Sequence, residues 1–217
     1  YLLWLNLALA GMMNPGNLPQ FEYVFKHLPT DDPMLEIGSF CGLSTNIIGY
    51  MRWKHKQQNL LFCSDKWEFE NLEDDPYLEN SQVRREDFRN YVQESFERNV
   101  KTFFHDDPPH AIKEFSDDFF KLWGEKSTQT DIFDRSVELG GPLSFVFIDG
   151  NHTYSFAKRD FENADKFLVK NGFILFDDSA SYLTHFGVYP VVKEALKSKR
   201  YKLVSANPNH LLQKIAD

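Results

Sequence analysis

The chain has 217 residues, with 24 Lys+Arg against 32 Asp+Glu and a formal net charge of −8. At 42% hydrophobic and 26% charged residues it has the makeup of a folded globule, and its length suits one domain with insertions. The negative charge and the lack of a basic block argue against a nucleic-acid partner, whose phosphates are met by Lys and Arg. No apolar stretch reaches the roughly 20 residues of a membrane span.

The run from Tyr1 to Met13 is apolar but short, is interrupted by Asn6 and has no basic flank. It reads as a docking or lid helix within an N-terminal segment 1–32, not as a signal peptide. A start at Tyr1 instead of Met is expected of a chain from which upstream residues have been removed. Met34 to Ile37 is a short apolar run ending at Gly38, and Leu43, Ile47, Ile48 and Met51 follow at helical spacing. Asn59 to Cys63 is a second strand, closing at Ser64-Asp65, so the three elements form a βαβ unit. Residues 66–109 are an excursion, polar at first. Phe88, Val92, Phe96 and Val100 give its latter half the rhythm of an amphipathic helix. Pro108-Pro109 breaks any regular element. A strand over Ala111 to Phe115 and a helix from Asp117 to Trp123 follow, with one long helix from Ala111 as the competing reading.

Residues 124–142 form a second excursion that ends in the turn Gly140-Gly141-Pro142. Leu143 to Ile148 is nearly continuous in apolar residues, as in a parallel sheet covered on both faces. Tyr154, Ala157, Phe161, Ala164 and Leu168 mark a helix, for which Asn171-Gly172 supplies a left-handed cap. Phe173 to Phe176 is another buried strand, a helix covers Val191 to Lys197, and a hairpin spans Tyr201 to Ile215 around Asn207-Pro208-Asn209. Alternating strands and helices closed by a hairpin predict an open, mostly parallel α/β sheet with one reversed edge. Ligands of such sheets bind beyond the carboxyl ends of the strands.

Four strand ends carry polar groups. Gly38 and Gly42 suit a tight loop with backbone donors at a helix start, but the dinucleotide fingerprint G-x-G-x-x-G is absent. Asp65 lies 23 residues beyond Gly42, the spacing of a ribose-diol anchor, though a solvated loop acid is an equal alternative. Asp149 ends one strand and Asp177-Asp178 the next. If these are neighbours, three carboxylates meet, and a cation or a proton must offset their repulsion. Oxygen ligands alone suit Mg²⁺, Ca²⁺ or Mn²⁺, and helix capping by Asp177 or Asp178 is the alternative. His152, three residues after Asp149, is placed to take a proton from a bound hydroxyl. The remaining histidines, His27, His55, His105, His110, His185 and His210, form no metal-ligand spacing and read as structural. Two cysteines, Cys41 and Cys63, are too few for a disulfide framework and fit a reducing, cytoplasmic setting.

Leu35-Glu36-Ile37-Gly38 with Gly42-Leu43-Ser44 resembles motif I of class I S-adenosylmethionine-dependent methyltransferases. Phe147 to Tyr154, followed by Asp160, Gly172 and Phe176-Asp177-Asp178, resembles the small-molecule and sugar O-methyltransferases related to the macrocin and catechol enzymes. The resemblance covers roughly residues 33–215. It implies a Rossmann-like seven-stranded sheet with the last strand reversed and helices on both faces, in a domain over 33–217. It implies that Glu36 and the loop Gly38, Ser39 to Gly42 hold the methionine end of S-adenosylmethionine, with Ser44 beside it. Asp65 would bind the ribose, with Trp67 and Ser116 near the adenine. Asp149, Asp177 and Asp178 match positions for a divalent cation such as Mg²⁺, and His152 that of a general base. Many relatives have Asp where this chain has Asn151, so His152 alone would serve. The expected activity is methyl transfer to a hydroxyl of a small-molecule acceptor, in a chain that can form a homo-oligomer. A non-catalytic cofactor-binding domain of a larger protein is the alternative, and a nicotinamide oxidoreductase is disfavoured by the missing fingerprint.

Overall fold

The computed structural model describes residues 1–68, 76–78, 81–104 and 107–216. The chain opens with helices α1 (Leu2–Ala8) and α2 (Asn17–His27), then strand β1 (Met34–Ile37), helix α3 (Leu43–Lys54) and β2 (Leu61–Ser64). Helix α4 (Arg85–Phe103) is the amphipathic helix of the first excursion; part of that excursion, with His105, lies outside the described residues. Next come β3 (His110–Ile112) and α5 (Ser116–Gly124), so the competing single helix from Ala111 is not formed. The second excursion is a hairpin of β4 (Thr128–Thr130) and β5 (Ser136–Glu138). Its turn is pinned by Asp131, whose Oδ1 accepts the amides of Phe133 and Arg135, both at 2.9 Å. Then follow β6 (Leu143–Ile148), α6 (Tyr154–Phe167), β7 (Leu168–Phe176), α7 (Val188–Lys197), β8 (Tyr201–Ala206) and β9 (His210–Lys214).

The main sheet has seven strands in the order β3-β2-β1-β6-β7-β9-β8. Pairings from β3 through β7 are parallel, and β9, the last strand, runs antiparallel to both β7 and β8. The reversed strand is thus held between β7 and the outermost strand β8. The order reverses direction at β1, where β2 lies on one side and β6 on the other, and a crevice opens there beyond the strand ends.

Two apolar layers sandwich the sheet. Phe145, Phe147, Phe173 and Leu175 face Phe21 and Phe25 of α2 and Ile47 and Ile48 of α3. Val146, Ile148, Ile174 and Phe176 face Phe119 and Trp123 of α5, Phe161 of α6 and Val191 of α7. This is the two-residue alternation of a strand covered on both sides. Helix α2, placed by sequence in the N-terminal segment, contributes fully buried Phe21, Val24 and Phe25 to the first layer.

The expected glycine cap of α6 is corrected. The helix ends at Phe167, its C-cap Leu168 is already extended with φ −67° and ψ 125°, and the left-handed residue is Asn171 with φ 68°. Gly172 serves close packing instead: a Cβ there would lie 2.9 Å from both Leu168 Cδ1 and Val169 O.

Candidate active site

A cavity of about 620 Å³ opens at the carboxyl ends of β1, β2 and β6. That volume is typical of sites for ligands of cofactor size. One wall is the loop after β1, with Gly38, Ser39, Phe40, Leu43 and Ser44. Gly38 (φ 80°), Phe40 (φ 45°) and Gly42 (φ 85°) are all left-handed, and the Gly42 amide bonds Ser39 O at 2.7 Å. Gly42 starts α3 but does not line the cavity.

Asp65, at the end of β2, holds this loop in place. Its Oδ2 accepts the amides of Ser39 at 2.8 Å and Phe40 at 3.0 Å, and its Oδ1 accepts that of Trp67 at 2.6 Å. Burial raises its carboxyl above the ordinary range, against the pull of those amides. Trp67 lies along the cavity with its indole N–H donating to Phe40 O at 3.0 Å. Ser116, the first residue of α5, also lines the cavity and donates to Asp160 Oδ1 at 2.5 Å.

Glu36 does not reach this space. Strand alternation turns it toward α3, where it is fully buried and accepts hydrogen bonds from Ser39 Oγ at 3.0 Å, Thr45 Oγ1 at 2.5 Å and Cys63 Sγ at 3.3 Å. Glu36 is thus not among the residues that line the cavity; through Oε2 it braces the loop from below. Burial pushes its carboxyl up, and its presence and burial push the Cys63 thiol up as well.

The opposite wall carries Asp149, Asn151, His152, Asp178 and Phe186. His152 Nδ1 lies 3.1 Å from Asp178 Oδ2, and its ring leans on Phe186 at 4.7 Å between centroids. Asp149 sits well above the usual carboxylate range because it is buried and faces the charges of Asp177, Asp178 and Glu36. It shares a hydrogen bond with Asp177. Asp177 is raised to about 6, first by burial. Its Oδ1 accepts Asn17 Nδ2 at 2.9 Å and also Asn209 Nδ2.

The expected convergence of three aspartates on one cation is therefore met only in part. Asp149 and Asp177 meet, Asp178 turns to His152, and Asp177 is 3% exposed with one oxygen already bearing two amide donors. Among the described residues no three His, Cys, Asp or Glu side chains are placed to hold a metal ion. This donor set does not fit a cation held by all three aspartates.

The cavity is also lined by Met12, Met13, Phe115, Phe156, Asp160 and Phe186, to which the sequence assigns no role. Only Asp160 carried a signal, as a buried acid on the apolar inward face of α6 beside Ala157, Phe161 and Ala164. The other histidines within the described residues have structural partners, such as Glu22 for His55, Asp131 for His110 and Ser179 for His210.

A family model described as a methyltransferase domain matches residues 35–179, from the first strand through the turn after β7. The chain belongs to this methyltransferase family. A comparison of this chain with curated proteins found no match. Among solved structures it is similar to the O-methyltransferase NovP, with a TM-score of 0.63 and 14% identity over 93% of this chain and 80% of that one. It is similar to CalS11, described as a TDP-rhamnose 3′-O-methyltransferase of calicheamicin biosynthesis, with a TM-score of 0.58 and 13% identity over 93% and 80%. An O-methyltransferase from Bacillus cereus in complex with SAH gives a TM-score of 0.56 and 13% identity over 100% and 89%. At these identities the likeness is one of fold, the Rossmann-like methyltransferase sheet.

Proposed function

We propose that the domain transfers the methyl group of S-adenosylmethionine to a hydroxyl oxygen of a small molecule. The observation that carries this reading is one cavity with a loop-and-carboxylate cradle at one wall and a carboxylate-oriented histidine at the other. The cradle suits the donor. In its lining acidic side chains outnumber cationic ones, with Asp65, Glu68, Glu114, Asp117, Asp160 and Asp178 against Lys66, a sign of charge that favours a cationic sulfonium and ammonium group. Phe40, Phe115 and Trp67 offer apolar faces to the adenine, and Asp65 has one lone pair left, on Oδ1, for a ribose hydroxyl. Ser39, Ser44 and the backbone at Gly38 are placed for the methionine end, and Ser116 stands beside the adenine wall.

When bound, the donor supplies a methyl group already activated by a positive sulfur. The protein's work is then positioning and proton transfer. Asp178 accepts the Nδ1–H of His152, which leaves Nε2 as the base for the acceptor's hydroxyl proton. Phe156 and Phe186 exclude water and give the acceptor an apolar seat. No step is routed through a cation, because Asp177 is committed to amide donors.

The test is formation of S-adenosylhomocysteine against a panel of catechols, hydroxylated sugars and polyketides, read by mass spectrometry. His152→Ala should lower turnover by about 10²–10⁴-fold, the usual worth of a general base, while cofactor affinity stays within twofold or so. Asp65→Ala should instead weaken cofactor binding. Full turnover in His152→Ala would refute its role as base, and wild-type protein that fails to bind S-adenosylmethionine would refute the whole reading.

A further inference from the structure

Asp177 bonds Asp149 at the edge of the proposed active site, yet its Oδ1 takes part in a different structure. Asn17 Nδ2 donates to Asp177 Oδ1 at 2.9 Å, Asn209 Nδ2 donates to the same oxygen, and Asn209 Nδ2 also donates to Asn17 Oδ1 at 3.1 Å. These three side chains close a ring that is almost fully buried, with exposures of 0% for Asn17, 1% for Asn209 and 3% for Asp177. The Asn209 side chain is saturated. Each hydrogen of the Asn209 amide has an acceptor, and Asn209 Oδ1 accepts the Ser179 amide at 3.1 Å.

The three residues come from distant parts of the chain: the start of α2, the turn after β7 and the hairpin turn before β9. Further contacts tighten the same seam. Gln20 Nε2 donates to Asn209 O at 2.7 Å and to Ser205 Oγ at 2.9 Å. A Cβ on Gly16 would lie 2.0 Å from Asn207 O, so the backbone itself is pressed against the hairpin turn. Immediately before this anchor, Gly11, Met12 and Met13 line the cavity. Their other end is held as well, since a Cβ on Gly11 would lie 2.6 Å from Leu43 Cβ at the start of α3.

We propose that Asp177 is a positioning residue: through Asn17 and Asn209 it fastens residues 11–17 to the sheet as a wall of the cavity, and its carboxylate is not a metal ligand. The inference rests on the methyl-transfer reading only in taking this cavity as the site of reaction. Strand alternation supplies the physical reason. Phe173, Leu175 and Asp177 follow one face of β7, the face covered by α2, so Asp177 meets α2 where Asp178 meets His152. The wall and the oriented base are thus set by consecutive residues of one tight turn, with Asp178 itself at φ 48°.

The test is hydrogen exchange by mass spectrometry on the full chain, compared across Asn17→Leu, Asp177→Ala and Asp177→Asn. Removing a hydrogen bond to a charged group should speed exchange of the amides in residues 11–17 by roughly tenfold or more. Asn17→Leu and Asp177→Ala should show this increase. Asp177→Asn keeps the Oδ1 acceptor but not its charge and should fall between wild type and Asp177→Ala. Binding of Mn²⁺, followed by electron paramagnetic resonance, should be the same in wild type and Asp177→Asn. Unchanged exchange in Asn17→Leu would overturn the proposal, as would loss of wild-type Mn²⁺ binding in Asp177→Asn. Exchange does not depend on turnover, so a protein that transfers no methyl group but shows this pattern would sink the function and keep the anchor.

Discussion

Replacing Gly38 with alanine is a direct test of how the site is built. Gly38 has φ 80°, where an L residue costs roughly 1–2 kcal/mol. Its added Cβ would lie 2.2 Å from Asp149 O, 2.7 Å from Asp149 C and 3.1 Å from Gly150 Cα. These are backbone atoms that cannot rotate away, and Asp149 is itself tied to β1 by its amide on Ile37 O at 2.8 Å. Relief therefore requires the ends of β1 and β6 to part, an overpacking cost of about 1–3 kcal/mol. The two terms together predict a loss of about 2–5 kcal/mol. Gly141 is the control. It has φ 97° but nothing within 4 Å of a Cβ, so Gly141→Ala should cost only the first term, about 1–2 kcal/mol. Urea unfolding at constant slope measures both, and calorimetric titration with S-adenosylmethionine should show weaker binding in Gly38→Ala alone. Equal stability losses in the two variants would refute the steric argument. Unchanged affinity would remove the Gly38 loop from the cofactor site.

Two further outcomes follow from packing away from the site. Trp123 is fully buried, packs edge-on against Phe62 at 4.9 Å and donates its indole N–H to Gly141 O at 2.8 Å. Trp123→Ala should cost about 3–5 kcal/mol in urea unfolding, and a loss under 1 kcal/mol or so would contradict its place in the second layer. Asp131 is buried, which alone would raise its carboxyl, yet bonds from Arg135 and His110 hold it below the ordinary value. A depressed folded-state value gives stability that is present above the unfolded carboxyl range, near pH 4, and is lost as pH falls. Wild type should therefore lose more stability than Asp131→Asn when the pH is lowered from about 5 to about 3. Parallel pH profiles of the two would show that the hairpin gains nothing from this charge.

The strand runs Met34–Ile37, Leu143–Ile148 and Phe173–Phe176 were legible because burial on both faces leaves a continuous apolar segment, and the acids that follow them mark where strands stop. Local composition also located Gly38, Asp65, Asp149 and His152 at one rim, since parallel strands end on the same side. The direction of individual side chains was decided elsewhere. Glu36 belongs to the motif by position, but the pleat of β1 aims it under the loop, toward Ser39 and Thr45. Asp177 and Asp178 are adjacent in sequence and part in space, one to Asn17 and the other to His152. Asn17 lies 160 positions from Asp177, and nothing in the sequence near either residue encodes their meeting. Periodicity records which side of an element is covered; which remote group covers it depends on sheet order and helix placement, and these exist only once the chain has folded.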